Sequence, residues 1–95
     1  MNLELPHTVN SVWMPTVTFS AESGVTQEGI QKAFSIEDID ARVFFWPLSS
    51  LPMFSPVTGN INAWSIPTRA INLPSFHDIS DSQISRVANV IKGLL

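Results

Sequence analysis

Residues 80–95 read SDSQISRVANVIKGLL, and this stretch carries the clearest local structural signals in the chain. Ser80 and Gln83 have the spacing of a capping box, in which two side chains satisfy backbone N–H groups that the first helical turn leaves free. An apolar stripe at helical spacing follows, formed by Ile84, Val87, Ala88, Ile91 and Leu95. The sequence therefore predicts a helix that buries one face at the end of the chain.

The residues before this helix alternate between short extended and helical patterns. Leu-Pro-Ser at 73–75 favours an extended piece, and 63–71 favours a short helix with Asn72 as its C-terminal stop. Two prolines and the turn residues Thr-Gly-Asn predict irregular structure over 48–62. Residues 41–46 form a second strand candidate, which Pro47 ends.

The first third of the chain predicts one strand and one helix. Residues 1–10 are expected to be an extended lead-in, and 12–19 to be a strand that lies at a sheet edge because Pro15 lacks an N–H. Thr26 is the expected N-cap of a helix over 26–35. This order predicts an α/β (α+β) fold over residues 1–95 as a single domain, with helices packed on one face of a small sheet.

Composition restricts the classes of function. Only 14% of the residues are charged, against about 25% in an average soluble domain, while 44% are hydrophobic. The net charge is −3 and the five Lys and Arg residues are scattered, which argues against nucleic-acid binding and against an anionic membrane surface. We expect no membrane span, no signal peptide and a cytoplasmic location. With so few charges, the chain either buries more surface than its length suggests or has an apolar partner.

The most apolar stretch is IDARVFFWPLSSLPMF at residues 39–54. Nine of its sixteen residues are large and apolar, and only Asp40 and Arg42 are charged. In a strand over 41–46 the apolar residues would fall on both faces, which predicts that both faces are covered. An exposed apolar patch of more than a few hundred Å² usually marks a partner surface.

Known catalytic motifs are not found in the sequence. His77 and Asp78 with Ser75 or Ser80 would make a nucleophilic triad only in a geometry that neighbours in sequence rarely adopt, so a turn before the last helix is the favoured interpretation. The acidic run at 37–40 lacks the spacing of a calcium loop and favours a solvated helix end. The two lysines, Lys32 and Lys92, lack the signs of a desolvated Schiff-base lysine and are expected to be exposed. No metal site is expected.

Four stretches in order resemble one enzyme family over nearly the whole chain. They are NSVWMPTV (10–17), GVTQEGIQKAF (24–34), IDARVFFWPLSSLPMF (39–54) and AINLPSFHDISDSQISRVANVIKGL (70–94). They resemble the C-terminal small domain of the DegT/StrS-type sugar-nucleotide aminotransferases, closest to the perosamine synthetase-like members. The resemblance implies the small, mostly antiparallel sheet of fold type I pyridoxal-phosphate enzymes.

The resemblance also implies that the two domains of these enzymes have different roles. Members of the family transfer an amino group, usually from glutamate, to a keto sugar attached to a nucleotide. Their large N-terminal domain holds the cofactor and the Schiff-base lysine, and that domain is not among these 95 residues. The chain alone is therefore expected to hold no cofactor and to be inactive, with the large domain or a dimer mate as its partner. A stand-alone module for self-association or protein interaction is the alternative.

Carried over residue by residue, the resemblance implies two surfaces. The substrate cleft would be lined by Trp13, Met14, Arg42 and Phe44, although many members have histidine where Met14 stands. For Trp13 and Met14 core or interface packing is the alternative, and for Arg42 an ion pair. The interdomain or dimer interface would contain Phe45, Trp46, Leu48, Leu51, Met53 and Phe54, with core packing as the alternative for Phe45.

Overall fold

The computed structural model describes residues 2–95 as a small α/β domain with three strands and three α-helices. In chain order the elements are β1 Thr16–Thr18, α1 Gln27–Ile36, β2 Arg42–Val43, α2 Ile61–Ser65, β3 Ala70–Asn72 and α3 Asp81–Gly93. Short 3₁₀ turns occupy Ala21–Ser23, Leu48–Ser50 and Ile66–Arg69. Across residues 2–95 we find no helix with the length and apolar character that crossing a membrane requires.

The sheet is antiparallel throughout, with β3 between β1 and β2. This arrangement confirms the predicted fold class, and it confirms that β1 lies at an edge. The register aligns Val17 and Val43 with Ile71, and it aligns Thr16 and Arg42 with Asn72. Because successive side chains of a strand point to opposite faces, these rows lie on opposite faces of the sheet. One face is apolar and the other is polar.

Helices cover the apolar face. Ile30 and Phe34, one turn apart on α1, are fully buried against the sheet. The buried core cluster consists of Val17, Phe19, Ile30, Phe34, Ile71, Leu73 and Val87. Helix α3 packs on α1, and the guanidinium of Arg86 donates a hydrogen bond of 2.6 Å to the carbonyl oxygen of Glu37 at the end of α1. Helices α1 and α3 thus lie on one face, as the sequence predicted.

Both predicted N-cap residues are confirmed. The Thr26 hydroxyl accepts a hydrogen bond from the Gly29 N–H at 3.2 Å. At α3 the capping box is complete, because Ser80 Oγ accepts from the Gln83 N–H while Gln83 Oε1 accepts from the Ser80 N–H at 2.8 Å. Polar side chains therefore fix where α1 and α3 begin.

Helix α1 ends in a Schellman motif built around Asp38. The Ile39 N–H bonds to the Phe34 carbonyl at 3.0 Å, and the Asp38 N–H bonds to the Ser35 carbonyl at 3.1 Å. Asp38 has a φ of +52°, the left-handed conformation that this motif requires. Ile39 also packs against the core that contains Phe34, which completes the usual hydrophobic contact.

Replacing Asp38 with Gly is expected to stabilise the fold by about 0.5–1 kcal/mol, because glycine adopts positive φ without steric cost. Urea unfolding should show a higher midpoint with an unchanged slope. Asp38→Ala is the matched control, since it also removes the carboxylate but keeps a Cβ at positive φ. If both variants shifted the midpoint equally, charge rather than backbone conformation would be the cause.

Four predicted boundaries were wrong. Both edge strands are shorter than predicted: β1 has three residues and β2 has two, and Val12 has a φ of +54° that strands do not adopt. The predicted helix at 63–71 stops early: residues 70–72 form the buried central strand, so Asn72 ends a strand and not a helix. Residues 2–10 turn back on themselves, with the Asn10 N–H bonded to the Glu4 carboxylate at 3.1 Å.

The apolar stripe of α3 was also partly wrong. Val87 and Ile91 pack on the core as predicted, but Ile84 is exposed and Leu95 lies beyond the end of the helix. Val90 and Leu94 take part in the packing instead. The buried stripe therefore runs closer to the C-terminal half of the helix than the sequence pattern suggested.

The domain exposes more surface than a compact monomer of its size. Its accessible surface is 7043 Å², whereas a compact protein of this mass exposes about 5,400 Å². Its radius of gyration is 14.8 Å, against about 12 Å for a compact domain of this length. The excess surface is on the order of 1,600 Å², which is comparable to the area that a protein interface buries in total.

Candidate functional site

A cavity of about 470 Å³ opens beside the ends of β1 and β2. It brings together Trp13 and Met14, which precede β1, and Arg42, which begins β2. These residues are three of the four that the family resemblance assigned to a substrate cleft. Phe44 does not line the cavity; it is half-buried, with its ring centroid 6.1 Å from that of Phe45. Its place in a cleft remains a prediction.

Most of the cavity lining is apolar. Leu73 and Pro74 follow β3, Phe76 and Ile79 come from the segment before α3, and Val87 comes from α3 itself. Leu73 is held in place because its N–H donates to the carbonyl of Pro15 at 2.8 Å, which continues the pairing of β1 with β3. The cavity therefore has a floor suited to the apolar faces of a small organic ligand.

Charged side chains of both signs surround this apolar floor. The guanidinium of Arg42 donates two hydrogen bonds to one carboxylate oxygen of Asp40, at 3.1 and 3.3 Å. The ion pair that was the alternative for Arg42 is therefore present, at a largely exposed position on the cavity wall. Exposed ion pairs contribute only about 0–1 kcal/mol. A ligand group can thus compete for Arg42 at little energetic cost.

Sequence reasoning missed the second cation and the amide of the site. Arg86 and Gln83 line the cavity from α3, and Asp38 lines it from the end of α1. A usable signal was present, because Gln83 and Arg86 are three residues apart and so share one helical face. Gln83 had been interpreted only as a capping residue, a role that it also fills.

The lining of the site provides chemical groups of several kinds. Its lining contains carboxylates, guanidinium groups, an amide, a hydroxyl and two aromatic rings, and neither lysine nor histidine. In residues 2–95 no three potential ligands among His, Cys, Asp and Glu approach closely enough to hold a metal ion. Such a mixture of apolar surface, charged groups and hydrogen-bonding groups suits a ligand that combines apolar faces with polar groups.

Of the residues considered for a nucleophilic triad, Ser75 lines the cavity, whereas His77, Asp78 and Ser80 do not. His77 Nδ1 contacts Asp78 Oδ1 at 2.8 Å, but both side chains are almost fully exposed and neither lines the cavity. No hydrogen bond joins Ser75 or Ser80 to His77 in the part of the chain that the structure describes.

One carboxylate outside the cavity lining has a shifted pKa. The hydroxyl of Ser20 donates to the Glu22 carboxylate and lowers the pKa of Glu22 below its usual value.

All six residues assigned to an interface are exposed, with exposed fractions between 42% and 73%: Phe45, Trp46, Leu48, Leu51, Met53 and Phe54. The core packing that was the alternative for Phe45 is therefore not observed. Residues 51–60, which include three of the six, lack helix and strand. We call these six residues the apolar surface.

Comparison with known proteins gives a consistent relationship. A sequence profile of the DegT/DnrJ/EryC1/StrS aminotransferase family matches residues 1–92. GDP-perosamine synthase of Vibrio cholerae is 31% identical over 91 residues, which cover 90% of this chain and 24% of that protein. The chain thus spans about a quarter of the length of this curated relative, and no solved structure matches it significantly. Since the family profile covers almost every residue, the chain belongs to the DegT/DnrJ/EryC1/StrS aminotransferase family.

Proposed function

We propose that residues 1–95 act as the small-domain portion of a pyridoxal-phosphate-dependent sugar-nucleotide aminotransferase. The observation that carries the proposal is the cavity in which Trp13, Met14 and Arg42 meet, although 28 positions separate Met14 from Arg42 in sequence. In the complete enzyme this cavity forms one wall of the cleft that receives a nucleotide-linked keto sugar. The name of the similar Vibrio cholerae protein, GDP-perosamine synthase, supports this substrate class.

The residues of this chain do not fit the cofactor's own site. A Schiff base needs a lysine amine that is desolvated and close to the reacting group. Lys32 and Lys92 are both exposed, and neither lines the cavity. The contribution of this chain is therefore to bind and orient the sugar and to exclude water on one side of the cleft, while the cofactor is held elsewhere.

The apolar surface supports a partner for this domain. Fully burying one large apolar side chain contributes about 1.5–3 kcal/mol, so six exposed ones favour association strongly. The surface in excess of a compact monomer, on the order of 1,600 Å², is also enough for a stable interface. The partner in this proposal is the large aminotransferase domain or a dimer mate.

A chimera tests the function. Residues 1–92 replace the matching segment of the Vibrio cholerae enzyme, and amino transfer to that enzyme's own keto-sugar substrate is measured after gel filtration and cofactor absorbance have verified assembly. We expect cofactor-dependent activity. An assembled chimera that holds the cofactor and lacks activity contradicts the proposal. So does a borohydride-trapped adduct of pyridoxal phosphate on Lys32 or Lys92 of the isolated chain.

Arg42→Ala in this chimera is expected to raise KM for the nucleotide sugar about tenfold or more, since a hydrogen bond to a charged group contributes roughly 1.5–3 kcal/mol. Lys32→Ala, which removes a cation of α1 that does not line the cavity, should leave KM unchanged. Steady-state kinetics separate the two. Equal effects of both variants would show that total charge, and not the cavity wall, determines binding.

The same exposed side chains support a second candidate function, a self-association module. Sedimentation of the isolated chain distinguishes the two. A stable dimer whose mass does not depend on concentration supports the module, because it reveals a closed interface between copies. A monomer that aggregates at high concentration supports the small-domain proposal.

A further inference from the structure

Asn72 is a fully buried polar residue at the end of the central strand, with 1% of its surface exposed. Its side chain joins the two outer strands. The amide oxygen accepts a hydrogen bond from the Thr16 hydroxyl of β1 at 2.9 Å, and the amide nitrogen donates to the carbonyl of Val43 in β2 at 3.2 Å. A buried amide needs such partners, because its unpaired groups would be costly away from water.

From β1 this connection extends to the cavity. The Thr16 hydroxyl shares its one proton between Asn72 and the carbonyl oxygen of Met14, which is 3.1 Å away. The same Met14 oxygen accepts from the side-chain amide of Asn2 at 3.1 Å. The carbonyl of Met14, a lining residue, thus accepts from Asn2 and shares the Thr16 hydroxyl with Asn72.

On the other side the connection reaches Arg42. The carbonyl of Val43 that receives the Asn72 amide belongs to the residue next to Arg42. The strand register also aligns Arg42 and Thr16 with Asn72 in a single row. Asn72 itself does not line the cavity, so it touches no ligand there.

We propose that Asn72 is a positioning residue that fixes the Met14 wall and the Arg42 wall of the cavity relative to each other. The backbone hydrogen bonds of the sheet join β1 to β3 and β2 to β3, but they do not join β1 to β2. In addition, β2 is only two residues long. The amide of Asn72 adds one rigid group bonded to both outer strands. The role in catalysis rests on the proposed function, but the mechanical coupling is a property of the isolated chain.

Nuclear magnetic resonance of the full 95-residue chain tests the coupling without any activity measurement. The signals are the Met14 methyl group for one wall and the Arg42 Nε–H for the other, with the Met53 methyl group as a reference outside the cavity. In Asn72→Leu, which keeps the shape and loses both hydrogen bonds, we expect both wall signals to shift while Met53 does not.

Two isosteric changes on β1 provide a matched pair. Thr16→Val removes the hydroxyl that bonds to Asn72, whereas Thr18→Val makes the same change two residues further along the strand, at an exposed residue. Thr16→Val should shift the distant Arg42 signal, Thr18→Val should not, and Thr16→Ser should restore it. In the Asn72→Leu background Thr16→Val should have no further effect on Arg42, since the two changes break the same connection.

The outcomes are decisive in both directions. If Asn72→Leu lowers the unfolding midpoint but shifts neither wall signal, or only one of them, Asn72 is merely a stabilising residue and the proposal is wrong. If that variant does not fold, Thr16→Val decides through the Arg42 signal. Failure of this test leaves the chimera result untouched, so the coupling and the proposed function fail separately.

Discussion

Replacing Phe34 with Ala is expected to destabilise the domain by about 3–5 kcal/mol, which approaches the whole stability of a domain of this size. Phe34 has 1% of its surface exposed and lies at the centre of the core between α1 and the sheet. Its carbonyl also receives the bond that closes the Schellman motif. The cavity left by the ring cannot collapse easily, because Ile30 and Ile71 on either side are held by helix and sheet.

Urea unfolding followed by circular dichroism measures this effect. Ile36→Ala is the control, because Ile36 belongs to the same helix but has 71% of its surface exposed, and we expect a change below about 0.5 kcal/mol there. Phe34→Leu should cost less than Phe34→Ala and remains measurable if the alanine variant does not fold. Similar losses at Phe34 and Ile36 would contradict the assignment of the buried face of α1.

The sequence was most informative where side chains bond to their own local backbone. Thr26, Ser80 and Gln83 cap their helices as predicted, since a capping interaction depends on spacings of three residues. Spacing also accounts for the buried face of α1, because Ile30 and Phe34 are one turn apart and both are buried. Tertiary packing does not compete with such local interactions, so they form in the folded domain as the sequence predicts.

Prediction failed where tertiary contacts decide the structure. Residues 70–72 form a strand because they pair with β1 on one side and β2 on the other, and three residues carry no periodicity that could reveal it. Asn72 in particular looked like a helix stop, since nothing local shows that its amide finds Thr16 and Val43. The central strand was therefore the element that the sequence could not locate.

The candidate site was predicted only in part for the same reason. The family resemblance pointed to Trp13, Met14 and Arg42, which line one cavity. Gln83 and Arg86 reach that cavity only because α3 packs on α1 beside the sheet, a contact between elements far apart in sequence. Local patterns identify which residues share a helix face but do not identify what that face meets.

The second large effect concerns the apolar surface. We expect the triple change of Phe45, Met53 and Phe54 to Ser to weaken association of the isolated chain, whether into a dimer or into larger aggregates, more than 100-fold, because each residue contributes roughly 1.5–3 kcal/mol when a partner buries it. Sedimentation over a range of concentrations measures this association. Stability of the monomer should change by no more than about 1 kcal/mol, since all three side chains are exposed in the folded domain.

A second triple variant tests whether association depends on where the exposed apolar side chains lie or only on how many of them there are. Leu3, Val9 and Leu95 are large apolar residues that are even more exposed and lie outside residues 45–54, so their replacement by Ser removes a similar amount of apolar area elsewhere. If the apolar surface is an interface, only the first variant stops association, because an interface depends on contiguous area that a partner can cover. Equal effects of the two variants would mean that the chain associates through general hydrophobicity. A large loss of monomer stability in the first variant would instead place those side chains in a core, which contradicts the interface assignment.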